Sequence, residues 1–218
     1  MQRVKIMREK LLIIGAGGHS KVLLETAIST NLYDEYAFLD DCYRDGGEDL
    51  FVLGWPILGN TNCISQKLIK NKFNNAVVAI GNNKKRLEYL DELEKNNFKI
   101  PSLIHSSAII SPSSKVNKGS VIFSNSVIQA GVIIGVGVIV NTSSSIDHEC
   151  IINDGAHICP GVNLAGGVNV GRLSMVGIGA SVIQNIKIGE EVIIGAGSVV
   201  INNLKNKMKV AGVPARLI

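Results

Sequence analysis

His148 and Glu149 stand next to each other in the run Asp147-His148-Glu149-Cys150. An imidazole beside a carboxylate suits general-base chemistry, because the acid orients the ring and supports its protonated form. A solvated histidine in a turn carries the same signature, so spacing alone leaves both readings open. The chain holds 4 histidines, at positions 19, 105, 148 and 157, and few side chains compete for the role of base. A catalytic zinc centre built on three histidines needs more than the two at 148 and 157 that share the repeat described below, and no metal is expected. The 4 cysteines, at 42, 63, 150 and 159, form no CxxC pair and read as reduced packing residues of a cytoplasmic protein.

A second kind of chemistry is written in glycine. Gly15-Ala16-Gly17-Gly18-His19 follows an apolar run and opens a helical pattern, where bare backbone N–H groups and the helix dipole favour an anion. The last position of a dinucleotide-type GxGxxG is Ser20 here, so a tight strand-to-helix turn is the competing reading. Asp40-Asp41 falls after the second strand, where such folds hydrogen-bond a ribose, and Gly81-Asn82-Asn83 follows a third. Three polar strand ends at one edge of a sheet are what a ligand crevice requires.

These groups need elements to hold them. Over residues 10–104 strand patterns at 10–14, 36–39, 55–58 and 76–80 alternate with helical patterns at 18–29 and 84–96, which predicts a Rossmann-like α/β domain spanning 1–104. From Ala108 the pattern changes. Cut into sixes, every third residue is aliphatic for sixteen consecutive hexads, from Ile110 to Val200, without an insertion. First and third positions share one face of a short strand, the second points the other way, and Gly, Asn and Asp supply the turns. Stacked coils bury what no single hexad can, which predicts a parallel β-helix over 105–218.

Bulk properties narrow the field. A net charge of +4, with 22 basic and 18 acidic residues, lacks the clustered basic, aromatic-rich face of a nucleic-acid binder, so no nucleic acid is expected as a partner. The apolar run at 11–14 is far too short for a membrane span.

Taken together, Gly-x-Gly-Gly-His, Leu39-Asp40-Asp41, Ala79-Ile80-Gly81-Asn82-Asn83, Leu103-Ile104-His105, Asn141-Thr142-Ser143-Ser144 and Asp147-His148-Glu149-Cys150 resemble the hexapeptide-repeat sugar acetyltransferases. That family includes nucleotide 4-amino-sugar N-acetyltransferases and the sialic acid O-acetyltransferase. The resemblance implies a left-handed β-helix and acetyl transfer from acetyl-CoA to the 4-amino group of a nucleotide-linked 4-amino-4,6-dideoxyhexose, with sugar O-acetylation as the alternative. It maps the base onto His148, supported by Glu149. Nucleotide-sugar contacts fall on Gly17, Gly18, His19, Asp40, Asp41 and Gly81, and acetyl-CoA contacts on His157, Ile178 and Ala196. Asn141 or a backbone N–H near Gly166-Gly167 would stabilise the oxyanion. Lys205, Lys207, Lys209 and Arg216 either face the coenzyme phosphates or form a solvated tail.

Repeat arithmetic adds a prediction about assembly. One outward column carries Val121, Ile139, His157, Met175 and Ile193, apolar but for one histidine, and reads as a subunit interface. His148 belongs to the corner between the other two faces, so it meets His157 only across two chains. The expectation is a homotrimer with three sites, each between neighbours.

Overall fold

The computed structural model describes residues 9–43 and 50–218. The first part is a five-stranded sheet in the order β3-β4-β2-β1-β5, with β1 (Glu9–Ile14), β2 (Tyr33–Leu39), β3 (Phe51–Val52), β4 (Trp55–Gly59) and β5 (Asn75–Val78). β1, β2, β4 and β5 run parallel, and β3 pairs antiparallel with β4. A parallel strand covered on both faces is continuously apolar. Accordingly Leu11, Leu12, Ile13 and Ile14 are all fully buried. Leu11 and Ile13 pack with Leu23, Leu24 and Ala27 of α1 (Gly18–Ser29), while Leu12 and Ile14 face Leu87, Leu90 and Leu93 of α3 (Asn83–Lys95). The strand's two-residue period thus divides one apolar run between two layers.

The second part is a three-sided parallel β-helix. Sixteen two-residue strands, from Ile109–Ile110 to Val199–Val200, follow one another at the hexad period, and Leu103–Ile104 adds a rung before them. Partners stack 18 residues apart in unbroken register: Val121 on Ile139, Ile139 on His157, His157 on Met175, Met175 on Ile193. Ile122, Val140, Ile158, Val176 and Ile194 fill the axis with no exposed surface. Each such side chain contributes about 1.5–3 kcal/mol through burial. Ser120, Ser126, Ser144 and Ser174 at the inward first position are also buried, and their hydroxyls donate to backbone carbonyls, as Ser120 does to Gly135 and Ser174 to Gly189. No polar atom there is left to bear a desolvation cost.

The sheet domain sits on one face of the prism. Gly119, Gly137 and Gly155, one per coil, have positive φ, and a Cβ at any of them would collide with Leu90 or Leu87 of α3. On the other side of the sheet, Val121, Phe123 and Ile139 join the cluster of Leu23, Leu24 and Phe38. This corrects the expectation that the whole apolar column is an intersubunit surface. Val121 and Ile139 are 1% exposed because the chain's own first domain covers them, and Ile193, farther along, reaches 39%.

Candidate active site

The turn between Ser145–Ile146 and Ile151–Ile152 projects the proposed base from a corner. The His148 Nδ1 lies 3.4 Å from Glu149 Oε2, with the two side chains 59% and 80% exposed. Asp147 Oδ1 accepts the His148 backbone N–H at 2.8 Å, and Glu149 takes a left-handed φ of 58°. The imidazole rests on the next coil at Gly166, where a Cβ would collide with Nε2 and Cε1. Gly167 is unsuited to be the oxyanion donor expected there, since its N–H already donates to the His148 carbonyl at 2.8 Å. The pair is thus open to water on this corner.

His157 begins the strand His157–Ile158 on a different face of the prism. Its Nε2 lies 3.3 Å from Asn141 Nδ2, and Asn141 Oδ1 accepts the Thr142 N–H at 2.9 Å, which fixes the amide. Burial, with smaller contributions from the nearby Arg86 and His19 charges, presses the His157 pKa down to about 4. The ring is therefore neutral near pH 7, and its Nε2 accepts from the Asn141 amide. His19 stands edge-on to Phe123 at 5.3 Å between centroids. Burial, then Arg86, lowers its pKa as well, and its buried Nε2 has no hydrogen-bond partner among the described residues.

The glycine loop opens the crevice edge. Gly15 has a φ of 103° and lies against Ala79 and Ile80, while Gly17 caps α1 with no side chain over the helix end. A Cβ at Gly17, Gly18 or Gly81 would meet nothing within 4 Å, so these backbones border open space. Ala16, Gly17, Lys21, Asp40, Tyr43, Phe51 and Ile57 line a cavity of about 530 Å³. Asp40 is tied into the loop, with Oδ2 accepting the Ala16 N–H at 2.6 Å and Oδ1 the Cys42 N–H at 2.7 Å. Each oxygen keeps one further lone pair. Asp41, paired with it in the sequence reading, turns instead to Thr61 and to the Tyr89 hydroxyl on α3. The Thr61 hydroxyl and N–H hold its carboxyl below the usual carboxylate range.

Ile178 and Ala196 occupy stacked turns, joined by N–H to C=O bonds from Gly161 to Thr142, Gly179 to Pro160 and Gly197 to Ile178. Ile178 is 60% exposed, so this corner offers an apolar track beside His157. Cys150 and Cys159 are buried, and burial pushes both thiols up, Cys159 to about 11, which suits packing rather than nucleophilic chemistry. The structure therefore groups the sequence-predicted residues into three sets. Gly17 and Asp40 line the first crevice; His19, Asn141 and His157 cluster beside the stacked turns; His148 and Glu149 stand apart on another corner, and Gly81 borders a separate recess with Met175 and Ile193. Arg86, central to the second set, escaped the sequence reading because it lies in a lysine-rich helical stretch that resembles a solvated face.

An α/β sheet with an open glycine loop, set on a hexapeptide prism bearing an exposed His–Glu pair, defines an acetyltransferase with a left-handed parallel β-helix. Residues 10–93 match the PglD N-terminal domain family. The acetyltransferase domain of PglB from Neisseria gonorrhoeae superposes with a TM-score of 0.91 at 38% identity, covering 97% of this chain and 100% of that one. The same domain has been solved in complex with acetyl coenzyme A. PerB from Caulobacter crescentus, in complex with CoA and GDP-perosamine, aligns with a TM-score of 0.88 at 33% identity over 96% of this chain and 97% of that one. The chain belongs to this family of sugar acetyltransferases.

Proposed function

We propose that the protein transfers the acetyl group of acetyl-CoA to the 4-amino group of a nucleotide-linked 4-amino-4,6-dideoxyhexose. The observation that carries this reading is the likeness over nearly the whole chain to PerB, whose complex holds CoA and GDP-perosamine. In this reading residues 1–104 hold the nucleotide sugar and 105–218 hold the acetyl donor. Gly17, Gly18, His19, Asp40 and Gly81 contact the nucleotide sugar, while Asp41 shapes the crevice through Thr61 and Tyr89. His157 and Asn141 face the thioester, and Ile178 and Ala196 guide the coenzyme arm.

The free amine attacks the thioester carbonyl carbon, and His148 takes the amine proton as the C–N bond forms, with Glu149 stabilising the imidazolium. Asn141 Nδ2 carries two hydrogens; one serves His157, and the other is available to the oxyanion. Collapse breaks the C–S bond, and the imidazolium returns its proton to the departing thiolate. Since His148 and His157 lie on different corners of one prism, they act together in a homotrimer whose sites fall between neighbours. The protein works in the cytoplasm on sugars destined for surface glycans or glycoproteins. Among the described residues no helix is long and apolar enough to cross a membrane.

The test is incubation with acetyl-CoA and a panel of GDP-, UDP- and dTDP-linked 4-amino-4,6-dideoxyhexoses beside hydroxyl-only counterparts. Thiol release is followed and the product located by mass spectrometry. N-acetylated amino sugar is expected. Acetylation confined to hydroxyl sugars would make the protein an O-acetyltransferase.

A further inference from the structure

Arg86 heads the largest fully buried side chains, and all its hydrogen-bond partners are carbonyl or amide oxygens rather than carboxylates. A charge placed in an interior without a counter-ion is costly unless each of its protons finds an acceptor. Here each does. Nε donates to Gly137 O at 2.7 Å, Nη1 to Ile80 O at 3.0 Å and Gly81 O at 3.2 Å, and Nη2 to Asn83 Oδ1 and Gly155 O, both at 2.8 Å. Those bonds use the five N–H groups of a guanidinium. Gly137 and Gly155 are the same corner of successive coils, whereas Ile80 and Gly81 belong to the loop at the end of β5. One side chain therefore fastens the crevice loop to the prism.

The orientation of that loop follows from peptide geometry. In a trans peptide the C=O and the following N–H point in opposite directions. With the carbonyls of Ile80 and Gly81 turned inward to Arg86, the N–H groups of Gly81 and Asn82 are turned outward together. Among the described residues neither has an acceptor in the chain. Gly81 and Asn82 line a recess of about 340 Å³ with Lys84, Met175 and Ile193, on the prism face that carries His157. Asn83 reinforces the placement, since its Nδ2 donates to Leu173 O at 2.9 Å while its Oδ1 receives Arg86.

We propose that Arg86 is a positioning residue for substrate: by holding the Ile80 and Gly81 carbonyls it aims the Gly81 and Asn82 N–H groups, as a pair of donors, at an oxygen of the bound nucleotide sugar. The inference rests on the proposed function for the identity of the ligand. Its guanidinium charge also adds to the burial that keeps His157 and His19 neutral.

The test uses Arg86→Lys, which keeps the charge with three donors instead of five, and Gly81→Ala, whose added methyl meets no atom within 4 Å and crowds only the donor pair. In Arg86→Lys the KM for the nucleotide sugar should rise about ten-fold or more, as expected when one or two hydrogen bonds are lost, with the KM for acetyl-CoA within about two-fold. The Gly81 and Asn82 amide resonances should shift in 15N spectra of the intact protein. A folded Arg86→Lys protein with the sugar KM unchanged would overturn the proposal: shifted resonances would then make Arg86 a structural latch, and unchanged ones would show that it does not set the loop at all. If Arg86→Lys does not fold, Gly81→Ala decides: a raised sugar KM supports the donor pair, and an unchanged one removes it. Should the wild type acetylate none of the sugars, the functional reading fails alone, because the amide shifts in Arg86→Lys still report the positioning.

Discussion

At the scale of single residues, the two histidines of the coil sit in opposite settings. His148 sits on an open corner with Glu149 at 3.4 Å, while His157 is pressed to a pKa of about 4 and serves as a neutral hydrogen-bonding group. Replacing His148 by Ala is expected to lower kcat by about 10²–10⁴-fold, with the acetyl-CoA Kd from calorimetry nearly unchanged. Turnover near wild type in a folded protein would remove His148 from the mechanism. His157 makes a different prediction, with a definite sign. Its folded pKa lies below its ordinary value of 6.5, so the unfolded chain binds a proton that the native chain refuses between 6.5 and about 4. The melting-temperature gap between wild type and His157→Gln should hold steady above pH 6.5 and shrink as pH falls toward 4. A gap independent of pH across that window would mean that His157 is not held neutral by the fold. Both histidines stand out as candidates in the sequence because histidine is scarce in the chain. The bonds of Asp41 to Thr61 and Tyr89 do not, because they join positions 20 and 48 residues apart.

At the scale of elements, the coil is legible because its period is enforced by packing at every step. Each aliphatic third position from Ile110 to Val200 falls on a strand of the prism, since a slip of one residue would turn an axial side chain outward. The 3-10 helix Thr61–Ser65 and α2 (Lys67–Lys72) were not legible: they are short, and α2 buries only Ile69, too little for a periodic signal. The glycines of the coil separate support for the fold from support for the site. A methyl at Gly166 would meet the end of the His148 ring, an exposed side chain that can swing aside. A methyl at Gly177 would meet the backbone of Ile194 and Ala196. Gly166→Ala is therefore expected to lower kcat markedly while shifting the melting temperature little, and Gly177→Ala to destabilise the coil strongly. Calorimetry and initial rates on the two variants check the contrast. Equal loss of stability would show that Gly166, too, is held by backbone packing.

At the scale of the whole molecule, the corner geometry is the reason for proposing a partner. The column of His157 and the turn of His148 are separated by the body of one prism, and the sheet domain covers the upper part of the His157 face with its own residues. What remains open on that side is the lower column of Met175 and Ile193 with the crevice loop, and a neighbour's His148 corner would have to approach there. If each site is assembled from two chains in a ring, mixing two inactive variants should restore it. His148→Ala chains keep an intact His157 half, and His157→Ala chains keep an intact His148 half. In randomly assembled trimers from an equal mixture, about one cleft in four receives both intact halves, so about a quarter of wild-type activity should return. His157→Ala is a better partner than Met175→Asp, which would place a charge in an apolar column and break the assembly itself. The mixture is refolded or exchanged until mass photometry shows a single trimeric species, each variant is confirmed inactive alone, and rates are read at saturating substrates. No recovery in a verified hetero-trimer would place the whole site within one chain, and would then require His148 and His157 to serve different steps or only one of them to serve catalysis.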